Sequence, residues 1–202
     1  MLKTDKIESN WLTFEKLCSK TGKRSKAILK MLEDVGQRAC IAPASSRESY
    51  HAAYPGGLVD HSLRVFSNAR TLITSFSVFQ ELPLESVIIA CLFHDWGKIG
   101  DPGKEGSDYY VNQDSSWHRE KLGEFYKVNE DLTYMKNSLR GIYLLQHYRV
   151  HLTEDEFLAI YLNDGPADDQ NKAYTLKEPM LATLVQQADY MATKMEKIST
   201  IS

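Results

Sequence analysis

The sequence predicts an all-α, single-domain helical bundle, and three observations carry that expectation. Apolar residues recur at three- and four-residue steps through most of the chain, as the buried stripe of a helix requires. Cap and stop residues punctuate those stretches at helical lengths. A chain of 202 residues with 43% hydrophobic and 10% aromatic content can bury one good core and shows no compositional sign of disorder.

Each element has its own reason. Residues 5–20 carry Ile7, Trp11, Phe14, Leu17 and Cys18 on one stripe and should end before Gly22. Ser25 is the expected N-cap of the next helix, with Ala27, Ile28, Met31, Leu32 and Val35 as its apolar face and Gly36 as its stop. These helices, residues 1–44, are expected to pack on a unit formed by residues 45–202, the whole being one globular body. The turn residues between Pro43 and Gly57 read as a loop. A long helix follows from about Leu58 to Phe76, with His61 on the face of Leu58, Val65, Ala69 and Leu72. The next begins near Pro83 and should end at Gly97; Val87 to Phe93 is apolar on every face, so it should run through the centre. Residues 99–131 are irregular, with a short β-hairpin expected between Tyr109-Tyr110-Val111 and Phe125-Tyr126-Lys127-Val128, and a loop of that length suits a lid. Helical periodicity returns over residues 134–148. Thr153 and Glu156 form a capping box for a helix that Gly165 ends, and a last helix from about Pro179 carries Asp189 beside its apolar stripe.

Composition narrows the functional classes. A net charge of −3 gives no global attraction to nucleic acid or anionic membrane. The lysines and arginines from Lys16 to Lys30 read as a solvated helical face, with a phosphate-attracting rim, the backbone track a nuclease would use, as the alternative. Cys18, Cys40 and Cys91 are odd in number and far apart, which indicates neither a disulfide framework nor a zinc knuckle. No apolar run approaches the roughly 18 residues of a membrane span, and the first residues lack the apolar core of a signal peptide, so a cytoplasmic location is expected.

The chemistry concentrates at His94-Asp95, an imidazole and a carboxylate delivered by the most apolar helix of the chain. An unpaired buried carboxylate costs several kcal/mol, so the pair needs a cation, a hydrogen-bond network or water. His61 and Asp189 also face the core side of their helices. Two imidazoles and two carboxylates without thiolates suit one divalent ion of Mn, Mg, Fe, Co, Ni or Zn and argue against a closed structural zinc.

The order His61, His94-Asp95, Asp189 on a helical chain resembles the signature of the HD-domain metal-dependent phosphohydrolase superfamily. The stretch Tyr50-His51-Ala52-Ala53-Tyr54-Pro55-Gly56-Gly57-Leu58 to His61-Ser62-Leu63 is similar to the opening of small bacterial and phage HD hydrolases and of HD-type 3′→5′ exoribonucleases; His94-Asp95-Trp96-Gly97-Lys98 is similar to the common H-D-x-G-K form. The resemblance implies an HD-type bundle in which His61, His94, Asp95 and Asp189 hold the ion. It further implies that Asp95 orients the attacking water as general base and that Lys98 neutralises substrate phosphate. Two-metal relatives carry extra histidines in later helices. Here Asn137 and Asn163 stand in those places, which implies a mononuclear site with both amides as substrate hydrogen-bond groups. Lys98, His51, His118 in the lid, Asn137 and Asn163 make up the expected substrate-binding set. The expected activity is hydrolysis of a phosphoester or phosphoanhydride in a soluble nucleotide-like substrate. A nuclease and a non-catalytic nucleotide-binding module are the alternatives, and metal identity, base and oligomeric state stay open.

Overall fold

The computed structural model describes residues 2–102 and 107–201, with side chains as far as Glu196. Among the described residues the architecture is helical apart from one two-stranded hairpin. Helices α1 (Thr4–Cys18) and α2 (Ser25–Ile41) pack on each other and cover α3 (Gly57–Ser75), which lies along α4 (Leu84–Phe93) and the last helix. After α4 come strand β1 (Tyr110–Asn112), α5 (Ser116–Leu122) and strand β2 (Tyr126–Val128). The chain then forms α6 (Asn137–His147), α7 (Glu154–Tyr161) and α8 (Met180–Ile201). None of the described helices is long and apolar enough to cross a membrane.

The most apolar stretch becomes the centre because no face of it tolerates water: every residue of α4 from Ser86 to Phe93 is buried. One continuous cluster surrounds it, drawing Phe14 from α1, Ile28 and Met31 from α2, Leu58 and Val65 from α3, Leu144 and Leu145 from α6, Ile160 from α7 and Leu184 from α8. Just past α4 the Trp96 ring stacks on Phe14 at 5.4 Å and meets Phe93 edge-on at 5.1 Å. These aromatic contacts hold the turn that carries His94 and Asp95.

Several local expectations are met and others are corrected. The hairpin forms, antiparallel, with Tyr110 opposite Val128, Val111 opposite Lys127 and Asn112 opposite Tyr126. The capping box is complete, Thr153 Oγ1 accepting from the Glu156 N–H and Glu156 Oε2 accepting from the Thr153 N–H. Gly36, however, does not stop α2, which continues to Ile41. A Cβ at Gly36 would lie 2.9 Å from Trp11 Cζ2, so this glycine serves the close approach of α1 rather than a helix end. Ser25 is the first helical residue instead of the N-cap, and its hydroxyl donates to the Gly22 carbonyl. α4 ends at Phe93, and Gly97 falls inside the 3₁₀ turn Trp96–Ile99.

At Gly97 the start of α6 packs against the turn that carries His94 and Asp95. A Cβ there would lie 2.1 Å from the Asn137 carbonyl oxygen, a backbone atom that cannot rotate away. Gly97→Ala is therefore expected to force α6 outward and to destabilise the fold by about 1–3 kcal/mol, a drop in midpoint that denaturant unfolding would measure.

Candidate metal centre

Four of the sequence-selected side chains meet in the interior, brought there by three packed helices. His61 comes from the second turn of α3, Asp189 from the middle of α8, and His94-Asp95 from the turn that follows α4. His61 Nε2 lies 3.0 Å from Asp189 Oδ1, His94 Nε2 lies 3.9 Å from the same oxygen, and His94 Nε2 lies 3.6 Å from Asp95 Oδ2. Both imidazoles are fully buried.

The partners on the far side of each ring decide which nitrogen faces the centre. His94 Nδ1 sits 2.9 Å from the Cys91 carbonyl, to which it can only donate, so the lone pair is left on Nε2. His61 Nδ1 sits 3.2 Å from Glu196 Oε1, which fixes its Nε2 in the same way. The two Nε2 atoms and Asp189 Oδ1 are buried without a hydrogen-bond partner despite their proximity. An unmet polar atom in the interior costs about 1–3 kcal/mol, so three of them around one point call for a shared positive charge. His61, His94 and Asp189 could together hold a metal ion, their donor atoms lying within 4.8 Å of one another.

The electrostatics agree. Burial works against a charged His61, yet the Asp189 and Glu196 carboxylates outweigh it and push the ring up to about 9. Burial likewise pushes the Asp189 carboxyl up, but the adjacent His61 ring, and then the His94 ring, hold it below the usual carboxylate range. The centre thus favours a cation where the lone pairs converge, and a divalent ion would take the place of a proton there.

Asp95 is held on both oxygens. Lys98 Nζ donates to Oδ2, and Asn137 Nδ2 donates to Oδ1 at 2.7 Å. Burial alone would raise its carboxyl, but Lys98, then His94 and His61, outweigh that and keep it far below the usual carboxylate range. The Lys98 ammonium, raised despite burial by Asp95 and Tyr110, remains charged.

The expected substrate set is dispersed. His51 lies against His61, ring centroids 4.4 Å apart. Asn137 directs its amide N–H to Asp95, leaving Oδ1 buried and without a partner. Asn163 is buried with a free Oδ1 in the turn after α7. His118 sits on α5 with its ring against Trp117 and its backbone N–H on the Ser115 hydroxyl, and it is not one of the clustered His and Asp donors. Lys98 borders a cavity of about 390 Å³ with Tyr110, Asn112 and Tyr126 of the hairpin. A neighbouring cavity of about 640 Å³ shares Pro55, Asn112 and Tyr126 with it and adds Tyr50 and Phe125.

Sequence reasoning missed Glu196, although it follows Asp189 by two helical turns and so lies on the same face of α8. It also missed Asp60, which accepts from Asn10 at 2.8 Å, Tyr54 at 2.7 Å and Arg64 at 2.7 Å and so anchors the start of α3. Glu196→Gln should weaken divalent-cation binding about 10–100-fold by removing the carboxylate that orients His61, a change that chelator competition would read.

The comparisons with known proteins fit this geometry. A family model described as HD domain matches residues 58–194, a span that includes all four convergent residues. No curated protein and no solved structure matches the chain. Members of the HD superfamily are generally metal-dependent hydrolases. The match covers more than half of the 202 residues, and the chain belongs to the HD-domain family.

Proposed function

We propose that the protein is a phosphohydrolase that cleaves a phosphoester or phosphoanhydride bond in a small nucleotide-like substrate. The observation that carries this reading is the convergence of His61, His94, Asp95 and Asp189, with His61 Nε2, His94 Nε2 and Asp189 Oδ1 unpaired at one point and Asp95 held beside them. These four residues would hold one divalent ion, which when bound supplies Lewis acidity to a phosphoryl oxygen and to water.

The remaining steps belong to the chain's own groups. Lys98, charged and nearly buried, brings positive charge beside Asp95 to offset the phosphate. Asp95, kept ionised, orients the attacking water by accepting its hydrogen bond; its depressed proton affinity makes it a better positioning group than a strong base. Asn137 keeps that carboxylate in place. Tyr110 and Tyr126 on the hairpin wall the cavity beside Lys98, and Tyr50 and Phe125 wall the neighbouring one, flat surfaces that suit a nucleobase.

A small nucleotide is favoured over a nucleic-acid strand by the state of the basic cluster. Arg24 is held by Glu85 and Glu156, and Lys30 by Asp34, so part of the stretch that would track a backbone is already paired.

The test is a screen of nucleoside mono-, di- and triphosphates and cyclic nucleotides beside base-free esters such as ribose 5-phosphate, with each candidate metal. Nucleotides should be turned over with kcat/KM at least about tenfold above base-free esters, the contribution of one stacked base. Cleavage of base-free esters alone would remove the nucleotide assignment. Metal-dependent nucleotide binding without turnover of any compound would favour the non-catalytic module.

A further inference from the structure

We infer that His51 is a further ligand of the same cation, so that the centre offers three imidazoles and two carboxylates. This rests on the cation-binding reading above and adds a residue from outside the helices that supply the other four.

The Nε2 of His51 is buried and has no hydrogen-bond partner, the same state as the Nε2 atoms of His61 and His94. One ring nitrogen of His51, one of His61 and a carboxylate oxygen of Asp95 lie within 4.8 Å of one another. His61, His94 and Asp189 form a second group on the same criterion, and the two groups share His61. Asp95 links them again, its Oδ2 being 3.6 Å from His94 Nε2. Nitrogen donors sit about 2.1 Å from a zinc-like ion, so two of them on one ion are at most about 4.2 Å apart. Within each group, closing from at most 4.8 Å to that spacing needs only small side-chain shifts, and the shared His61 and the Asp95–His94 contact join the two groups at one centre.

The loop that carries His51 is held in a conformation that a passive connector does not need. Ser45 Oγ donates to the His51 carbonyl at 2.6 Å. Ala52, the next residue, has φ +46, left-handed although it is not glycine, and its carbonyl accepts from Ala44 N at 3.0 Å and Tyr54 N at 2.9 Å. A side chain in that region is disfavoured and persists only where the surroundings impose it. Gly57 completes the constraint, since a Cβ there would lie 2.0 Å from the Ala52 oxygen. The result places the His51 ring against His61. A third imidazole also makes the set more nitrogen-rich and turns its preference from Mg²⁺ towards Fe²⁺, Co²⁺, Ni²⁺ or Zn²⁺.

The experiment is Co²⁺ binding to the full chain, followed by chelator competition and by the visible absorption of the bound ion. His51→Ala and the space-filling His51→Gln should each bind Co²⁺ about 10–100-fold more weakly than wild type and with an altered visible spectrum. The exposed His147→Ala should match wild type. Thermal melting of the metal-free variants separates lost ligation from lost folding, and His51→Gln decides if His51→Ala fails to fold. Wild-type affinity and spectrum in both His51 variants would overturn the inference, including the outcome in which they only raise KM. Asp189→Ala distinguishes the two levels. If it loses Co²⁺ while the His51 variants keep it, His51 alone is excluded; if it too binds as wild type, the cation centre itself is wrong.

Discussion

Asp95→Ala should purify without its divalent ion and lose about 10³-fold or more in kcat/KM, whereas Lys98→Met should keep the ion and lose about 10²-fold. The contrast follows from what each side chain touches. Asp95 faces His94 at 3.6 Å and accepts from both Lys98 and Asn137, so its removal takes away one proposed ligand and leaves a buried ammonium and an amide N–H unmet. Lys98 touches the centre through Asp95. An ion that supplies several kcal/mol of charge stabilisation accounts for the larger loss, and one positive group beside the phosphate for the smaller. Elemental analysis of both preparations, with single-substrate kinetics on the best compound from the screen, checks the prediction. An Asp95→Ala protein with wild-type metal content and turnover would end the proposed mechanism.

The parts of this site that could be read in advance are those where a residue type and a helical period coincide. His61 shares a face with Leu58 and Val65, and Asp189 with Val185 and Ala192, so burial of the stripe carries the imidazole and the carboxylate inward with it. His94-Asp95 was placed by the uninterrupted apolar run before it. What stayed hidden depends on neighbours distant in sequence. Gly36 reads as a stop because glycine usually ends helices, yet here the indole of Trp11 needs the missing Cβ. Asn137 reads as a group for the substrate because a related histidine position is a ligand, and its contact with Asp95 depends on how α6 meets the turn around Gly97. Helix α5 buries none of its residues and so has no apolar period to show; only Ser115 as N-cap and the left-handed Gly123 after it mark its ends. His51 lies in a loop, where no periodicity predicts direction, and its place beside His61 follows from the backbone of Ala52.

Arg24→Ala is the substitution expected to cost most in stability, about 3–5 kcal/mol and about 10–15 °C in melting temperature. Arg24 Nε lies 2.7 Å from Glu85 Oε1, its Nη2 donates to Glu156 Oε1 at 2.9 Å, and its Nη1 donates to Glu156 Oε2 and, at 3.1 Å, to the His151 carbonyl. One guanidinium therefore joins the turn before α2 to the first turns of α4 and α7. Glu156 has no exposed side-chain surface, so removing Arg24 strands a carboxylate in the interior. Glu156→Ala should cost less, because Arg24 would keep Glu85 and some solvent. The dependence on pH should change sign between the proteins. In wild type, burial raises the Glu156 carboxyl, but hydrogen bonds from Arg24, Ser86 and the Thr153 backbone outweigh it and leave it below its ordinary value. A carboxyl lowered by folding stabilises fully above the unfolded value of about 4.3 and loses that contribution as pH falls through the folded one. Without Arg24 the burial effect dominates and the folded value rises above the unfolded one. Its stabilising contribution is then fully present below about pH 4.3 and is lost as pH rises through the folded value. The gap in melting temperature between wild type and Arg24→Ala should thus narrow from pH 7 towards pH 4.5. Adding Glu156→Gln to Arg24→Ala should recover part of the loss at pH 7. A gap independent of pH, with no recovery in the double variant, would mean that Arg24 acts through packing of its stem and not through its charge.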